Sequence, residues 1–278
     1  MNVLERNKVK VAVIDMNNGT ANQGMRGILE ILSRYREEHS LDLTYDVFDL
    51  RLKGEIPTLD YDLYISSGGP GSPYDGEGMQ WENDFFDLLS SIETFNENSL
   101  SLKKHAFLIC HSYQLGCRKF NVGKVIKRRS TAFGIFPVFL TESGVQDIIF
   151  EGLANPFFTV DSRDWQVVAD EEIDSNPYSN VLALEKERPH VDLERCIMSV
   201  RFTNEIVGTQ FHPEADPMGM KMYLLRADKK ESIIANHGLE KYQDMLSSLD
   251  DNSKLQLTQR IILPNFITEA LTCIKEEA

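Results

Sequence analysis

Cys110 ends one apolar run and opens a segment of different character, Phe107-Leu108-Ile109-Cys110-His111-Ser112-Tyr113-Gln114-Leu115-Gly116. The run from Ala106 to Ile109 is wholly apolar and too short for a helix, so it reads as a buried strand that delivers Cys110 into a sharp turn. A thiol on such a turn stands above the sheet, and the positive end of the following helix favours its thiolate. Much later, Gly208-Thr209-Gln210-Phe211-His212-Pro213-Glu214 closes another apolar strand with an imidazole and a carboxylate two residues apart. Those are the partners thiol chemistry needs: a base that takes the thiol proton and returns one to a leaving amine, and a carboxylate that orients it. A third segment, Ile65-Ser66-Ser67-Gly68-Gly69-Pro70-Gly71-Ser72-Pro73, offers backbone N–H groups that side chains do not shield, as an oxyanion hole or anion nest requires. Each segment also has a plain structural reading: a core cysteine, a strand-end histidine and a tight turn.

The surrounding pattern supplies elements that could bring the three together. Lys8 to Met16 is rich in Val and Ile and ends at Asn17, Asn18 and Gly19, as a first parallel strand should. Met25, Ile28, Leu29, Leu32 and Tyr35 recur at steps of three and four and predict an amphipathic helix. Strands at Leu43 to Leu50 and Asp62 to Ser66 follow, then a helix carrying Phe85, Leu88, Leu89 and Ile92, an alternation that implies a βαβ sheet. Beyond Cys110 the stretches Lys124 to Lys127, Ile135 to Leu140, Pro156 to Val160, Val181 to Leu184, Cys196 to Phe202 and Ile206 to Gln210 read as strands, the last ones in hairpins. From Met218 onward the pattern is helical, with an acidic, Ser-rich break at Ser247 to Lys254 and a closing helix from about Asn265. The division expected is residues 1–216 as one α/β domain and 217–278 as a helical extension packed on it.

Composition narrows the function. A net charge of −14 over 278 residues argues against nucleic acid as a partner, because phosphate neutralisation needs clustered Lys and Arg. The one basic cluster, Lys124, Lys127, Arg128 and Arg129, reads as a solvated strand end and turn. Cys110, Cys117, Cys196 and Cys273 show no C-x-x-C spacing, which fits a reducing, cytoplasmic setting. The apolar run Val9 to Met16 is broken by Lys10 and Asp15, so neither a signal peptide nor a membrane span is expected there.

Taken in order, the three segments resemble the class I glutamine amidotransferase family over most of residues 8 to 214, and within it the glutaminase domain of GMP synthase. The most specific piece, Gly208 to Glu214, is similar to that family's usual GxQFHPE. The resemblance implies a flavodoxin-like, mostly parallel sheet with helices on both faces. It also implies a triad of Cys110 as nucleophile, His212 as base and acid, and Glu214 as the group that orients His212. By the same resemblance, the N–H groups of Gly69 and His111 form the oxyanion hole, and Gln114 helps hold the amino-acid end of the substrate. Glutamine, or a γ-glutamyl small molecule, is then the substrate, attacked at its side-chain amide without metal or cofactor.

Two positions depart from the family pattern. Its elbow usually reads Gly-x-Cys-x-Gly, whereas Leu108 and Ser112 stand here, which predicts an altered fit around the substrate. Where members of the nucleotide-biosynthesis type carry a Ser-His pair, this chain has Ser162-Arg163; Arg163 is read either as a contact to a substrate carboxylate or as a surface loop charge. No P-loop or ATP pyrophosphatase loop accompanies the triad, since Gly71 stands where the latter needs Asp, so ammonia used in biosynthesis would pass to a separate synthetase. A γ-glutamyl amide or peptide hydrolase with the same triad, and a non-catalytic regulatory module, remain as alternatives. The tail helices either pack on the sheet or form a homodimer or partner surface.

Overall fold

The computed structural model describes residues 8–100, 102–170, 180–188, 194–251 and 254–276. In chain order the strands are β1 Lys8–Asp15, β2 Asp42–Asp49, β3 Leu63–Ser66, β4 His105–Ile109, β5 Lys124–Leu140, β6 Phe157–Val168, β7 Asn180–Glu185, β8 Ile197–Arg201 and β9 Ile206–Thr209. They form one sheet of order β2-β1-β3-β4-β9-β8-β7-β5-β6. The first five are parallel neighbours, and from β9 to β6 every pairing is antiparallel.

The helices are α1 Gln23–Glu38, α2 Leu50–Lys53, α3 Gln80–Asn98, α4 His111–Lys119, α5 Glu142–Gln146, α6 Pro217–Leu225, α7 Ala227–His237, α8 Leu239–Leu249 and α9 Leu255–Glu276. Strand periodicity sends β1 side chains to opposite faces. Val9, Val11 and Val13 meet Ile28, Ile31, Leu32 and Tyr35 of α1 and Phe266 and Ile267 of α9. Ala12 and Ile14 meet Trp81, Phe85, Leu88 and Leu89 of α3 and Tyr113 and Leu115 of α4. Each fully buried Leu, Ile or Phe contributes roughly 1.5–3 kcal/mol, so the sheet is clamped from both sides. A third cluster joins Ile135 and Val160 of β5 and β6 to Met220, Leu224, Tyr242, Met245 and Leu249 of α6 and α8.

Four details differ from the sequence reading. Lys124–Lys127 and Ile135–Leu140 are one long strand, β5, whose pairing with β6 shifts register between Lys127 and Ala132; the irregular pairing hides the continuity. Strand β6 runs on to Val168, so Ser162 and Arg163 lie in a strand and not in a loop. Arg128 is not solvated: its side chain is 10% exposed, pairs with Glu185 at 3.5 Å and donates to Gln166 Oε1 at 2.6 Å. Helix α9 begins at Leu255 and passes through Pro264, although proline costs about 3 kcal/mol inside a helix. Burial of Ile262, Leu263, Phe266 and Ile267 outweighs that cost. Residues 252–253 of the expected break lie outside the described residues.

Candidate active site

Parallel pairing decides where the chemistry can sit. Ser66 of β3 lies opposite Leu108 of β4, and Ile109 of β4 lies opposite Thr209 of β9. The Gly-rich loop, Cys110 and the His212 segment therefore leave the sheet side by side at the carboxyl ends of its central strands, where open α/β sheets present ligand sites.

Cys110 occupies the strand-to-helix turn with φ 50° and ψ −96°, a conformation that non-glycine residues rarely adopt. Its N–H donates to Thr209 O at 2.7 Å and its carbonyl accepts from Gln114 N at 3.0 Å, which fastens both ends of the elbow. The turn brings Sγ to the head of α4, where helix polarity supports negative charge. Around the sulfur lie Ser162 O at 3.9 Å and Gln210 Nε2 at 3.7 Å.

His212 is held by backbone and side chain together. Its N–H donates to Val160 O at 3.0 Å, and its Nδ1 lies 2.7 Å from Glu214 Oε1. That leaves the other ring nitrogen for Cys110, which sits beside the imidazole over Gly68. Burial alone would push the imidazole pKa down, but the Glu214 carboxylate and the Cys110 sulfur more than reverse this and hold it well above 6.5. A raised pKa favours the form that gives a proton to a leaving amine.

Glu214 is almost fully buried against two helical glycines. A Cβ on Gly24 would come 2.8 Å from Glu214 Oε1, and one on Gly27 would run into the Glu214 backbone carbonyl. Below, Asp216 pairs with Arg26 of α1 and caps α6 through Gly219 N at 2.8 Å. Alanine inside a helix normally gains up to about 1 kcal/mol over glycine. Here the sign reverses: Gly27→Ala is expected to lower both the thermal midpoint and the turnover, because Glu214 must move and His212 loses its guide. A raised midpoint with unchanged turnover would show that Gly27 does not seat the carboxylate.

The elbow's departures have a packing solution. Leu108 points away from the sulfur into the core beneath α4, where a Cβ on Gly116 would lie 2.7 Å from its Cδ1 and one on Gly208 would lie 3.2 Å from its Cβ. The glycines that permit close approach of helix to strand stand opposite the leucine, so Leu108 fills space behind the elbow and not the substrate's place. Leu108→Ala is accordingly expected to cost about 3 kcal/mol in denaturant unfolding while leaving KM unchanged; a changed KM with intact stability would contradict this. Ser112 turns inward as well, its hydroxyl donating to Ser67 O at 2.6 Å and lying 2.7 Å from Ser66 Oγ.

The remaining residues singled out in the sequence are placed as follows. Gly68 packs on Cys110 and His212, since a Cβ there would meet His212 Cε1 at 2.8 Å and Cys110 Cβ at 3.4 Å. Gly69 follows it and rests on the Met16 carbonyl. The His111 side chain is buried behind the elbow, where burial and the nearby Arg51 and Arg118 push its pKa down to about 3; only its backbone can serve the site. Gln114 donates to Gln210 Oε1 at 3.0 Å and to Trp165 O at 3.2 Å. Arg163 is not a surface charge: its side chain is 1% exposed and ion-paired with Asp161 at 2.9 Å and Glu185 at 3.6 Å. Gln210, whose Nε2 donates to the sulfur, has no signal of its own in the sequence beyond lying within the motif that carries His212.

A thiol on a strained strand-to-helix turn, facing an imidazole oriented by a carboxylate at the carboxyl edge of a parallel sheet, has the geometry of a cysteine acyl-transfer site on an α/β fold. The family description "Glutamine amidotransferase class-I" matches residues 26–231, and the chain belongs to that family. No curated protein matches the chain. Among solved structures it is similar to a glutamine amidotransferase from Thermotoga maritima, with TM-score 0.68 and 15% identity over 95% of this chain and 98% of that one. A protein from Thermoplasma acidophilum, assigned as one of the subunits of GMP synthase, gives TM-score 0.54 and 16% identity, covering 95% of each chain. The Trypanosoma brucei CTPS glutaminase domain with bound acivicin gives TM-score 0.57 and 13% identity, covering 92% of this chain and 100% of that one. At these identities the structures establish a shared fold.

Proposed function

We propose that the protein is a cysteine-dependent amidohydrolase that takes ammonia from the side-chain amide of glutamine and passes it to a separate synthetase. The observation that carries this reading is the arrangement of the three side chains: Glu214 Oε1 lies 2.7 Å from His212 Nδ1, and His212 and Cys110 meet beside Gly68 at the elbow. In the reaction the Cys110 thiolate attacks the amide carbon, and the N–H groups of Gly69 and His111 receive the oxyanion. His212 protonates the departing ammonia; it then takes a proton from water, which cleaves the thioester to glutamate and restores the thiol. The synthetase role is supported by the assignment of the Thermoplasma neighbour to GMP synthase and by the description of the Trypanosoma neighbour as the glutaminase domain of CTPS. A cytoplasmic setting accords with the free Cys110, Cys117 and Cys196, and among the described residues no helix is long and apolar enough to cross a membrane.

One observation favours a second reading, a hydrolase of larger γ-glutamyl amides or peptides. The Gln114 amide nitrogen is committed to Gln210 and Trp165, and Arg163 is committed to Asp161, so the two side chains expected at the amino-acid end of the substrate are engaged elsewhere. Ammonia release from glutamine and from a panel of γ-glutamyl amides, with and without cell extract supplying a partner, separates the readings. Fastest turnover of glutamine, stimulated by the extract, supports the first; turnover confined to extended γ-glutamyl compounds replaces it with the second. No release from any of them excludes both.

A further inference from the structure

The loop that carries Gly68 and Gly69 is fixed by side chains from distant parts of the chain. On its β3 side, Ser67 Oγ accepts from Met16 N at 3.0 Å, Ser67 N donates to Ile14 O at 2.9 Å, and Ser112 Oγ holds Ser67 O. Beyond the glycines that support ends, and Arg51 of α2 takes over. Its Nη1 donates to Pro70 O at 2.7 Å and to Met16 O at 3.1 Å, the carbonyl on which Gly69 rests. The guanidinium centre lies 5.1 Å from the Trp81 ring centroid, and Trp81 is itself wedged where a Cβ on Gly76 would collide with it. Farther along, Arg118 grips Pro73 O and Glu82.

Arg51 therefore ties two carbonyls, that of Pro70 next after Gly69 and that of Met16 against which Gly69 packs, to a single planar cation resting against an indole face. A guanidinium suits this role because it is rigid, permanently charged and able to stack while donating. We propose that Arg51 is a positioning residue for the proposed amide hydrolysis: it holds the 68–71 turn so that the Gly69 N–H meets the oxyanion formed during attack by Cys110. This inference rests on the amidohydrolase reading above. Arg51 acts through the loop and does not touch the Cys110, His212 and Glu214 relay.

The separation between loop and relay provides the test. In Arg51→Met, kcat for the substrate the wild type prefers is expected to fall roughly ten- to a hundredfold, with KM within about threefold, since an aimed oxyanion donor acts mainly in the transition state. The pH profile of Cys110 alkylation by iodoacetamide should match wild type, because the thiol and its base are intact. Arg51→Lys should recover part of the loss. Hydrogen exchange in a peptide covering residues 66–75 should quicken at least tenfold in Arg51→Met while a peptide from α9 stays protected. Unchanged kcat, or a loss that tracks a shifted alkylation profile, would overturn the assignment. If the wild type hydrolyses no amide, the functional reading fails, and the exchange measurement still decides whether Arg51 holds the loop: unchanged protection at 66–75 refutes it.

Discussion

Cys110→Ala is expected to lower amide hydrolysis by roughly 10⁴-fold or more, the loss found when a covalent nucleophile is removed from a triad. The variant should fold, because the contacts that fasten the elbow are backbone ones, Cys110 N to Thr209 O and Gln114 N to Cys110 O, and the sulfur makes only the long contacts to Ser162 O and Gln210 Nε2. Cys117 cannot substitute, since its thiol is fully buried and burial pushes its pKa above the ordinary 9.0. Cys196 is also buried, and burial raises its pKa to about 11 even with Arg163 and Arg128 nearby. A steady-state assay beside a circular dichroism spectrum checks the prediction. Retained turnover in a folded Cys110→Ala protein would remove the thiol from the mechanism.

Glu214→Gln should act on the same step through the imidazole. Burial disfavours a charged His212, and the carboxylate at 2.7 Å is the first influence that opposes it. With a neutral amide there, the His212 pKa must fall, so the imidazolium is lost at lower pH than in wild type. The alkaline limb of kcat/KM, which requires the proton that His212 gives to ammonia, is therefore expected to move to lower pH, with a drop on the order of 10³-fold near neutrality. An unmoved limb would show that Glu214 only packs against α1. The position is sensitive because Gly24 and Gly27 leave the carboxylate no room to adjust.

The candidate site was legible in the sequence to the extent that its residues fall in contiguous motifs. Cys110, His212 and Glu214 each stand at the end of a short apolar strand, and strands of that kind are recognisable from pattern alone. The parallel half of the sheet was equally plain, because Val11–Ile14 and Ala106–Ile109 are hydrophobic on both faces, as strands covered by two helical layers must be. What escaped notice depends on contacts between distant segments. Leu108 reads as an obstacle beside Cys110 until Gly116 and Gly208 are seen opposite it. Arg163 reads as a substrate contact or a loop charge until β6 extends to Val168 and brings Asp161 and Glu185 around it. Arg51 has no local signal, since its partners at Met16, Pro70 and Trp81 are joined only by the fold. Pro264 misleads in the opposite direction, its local cost being overridden by the apolar surface that α9 buries.

Attack of Cys110, activated by His212 and Glu214, on a γ-carboxamide can be followed by mass spectrometry after exposure to a glutamine-mimicking alkylator. One covalent adduct is expected, located on the peptide containing Cys110, formed more slowly in Glu214→Gln and suppressed by excess substrate amide. No adduct on Cys110, or an adduct that the substrate amide fails to suppress, would contradict it.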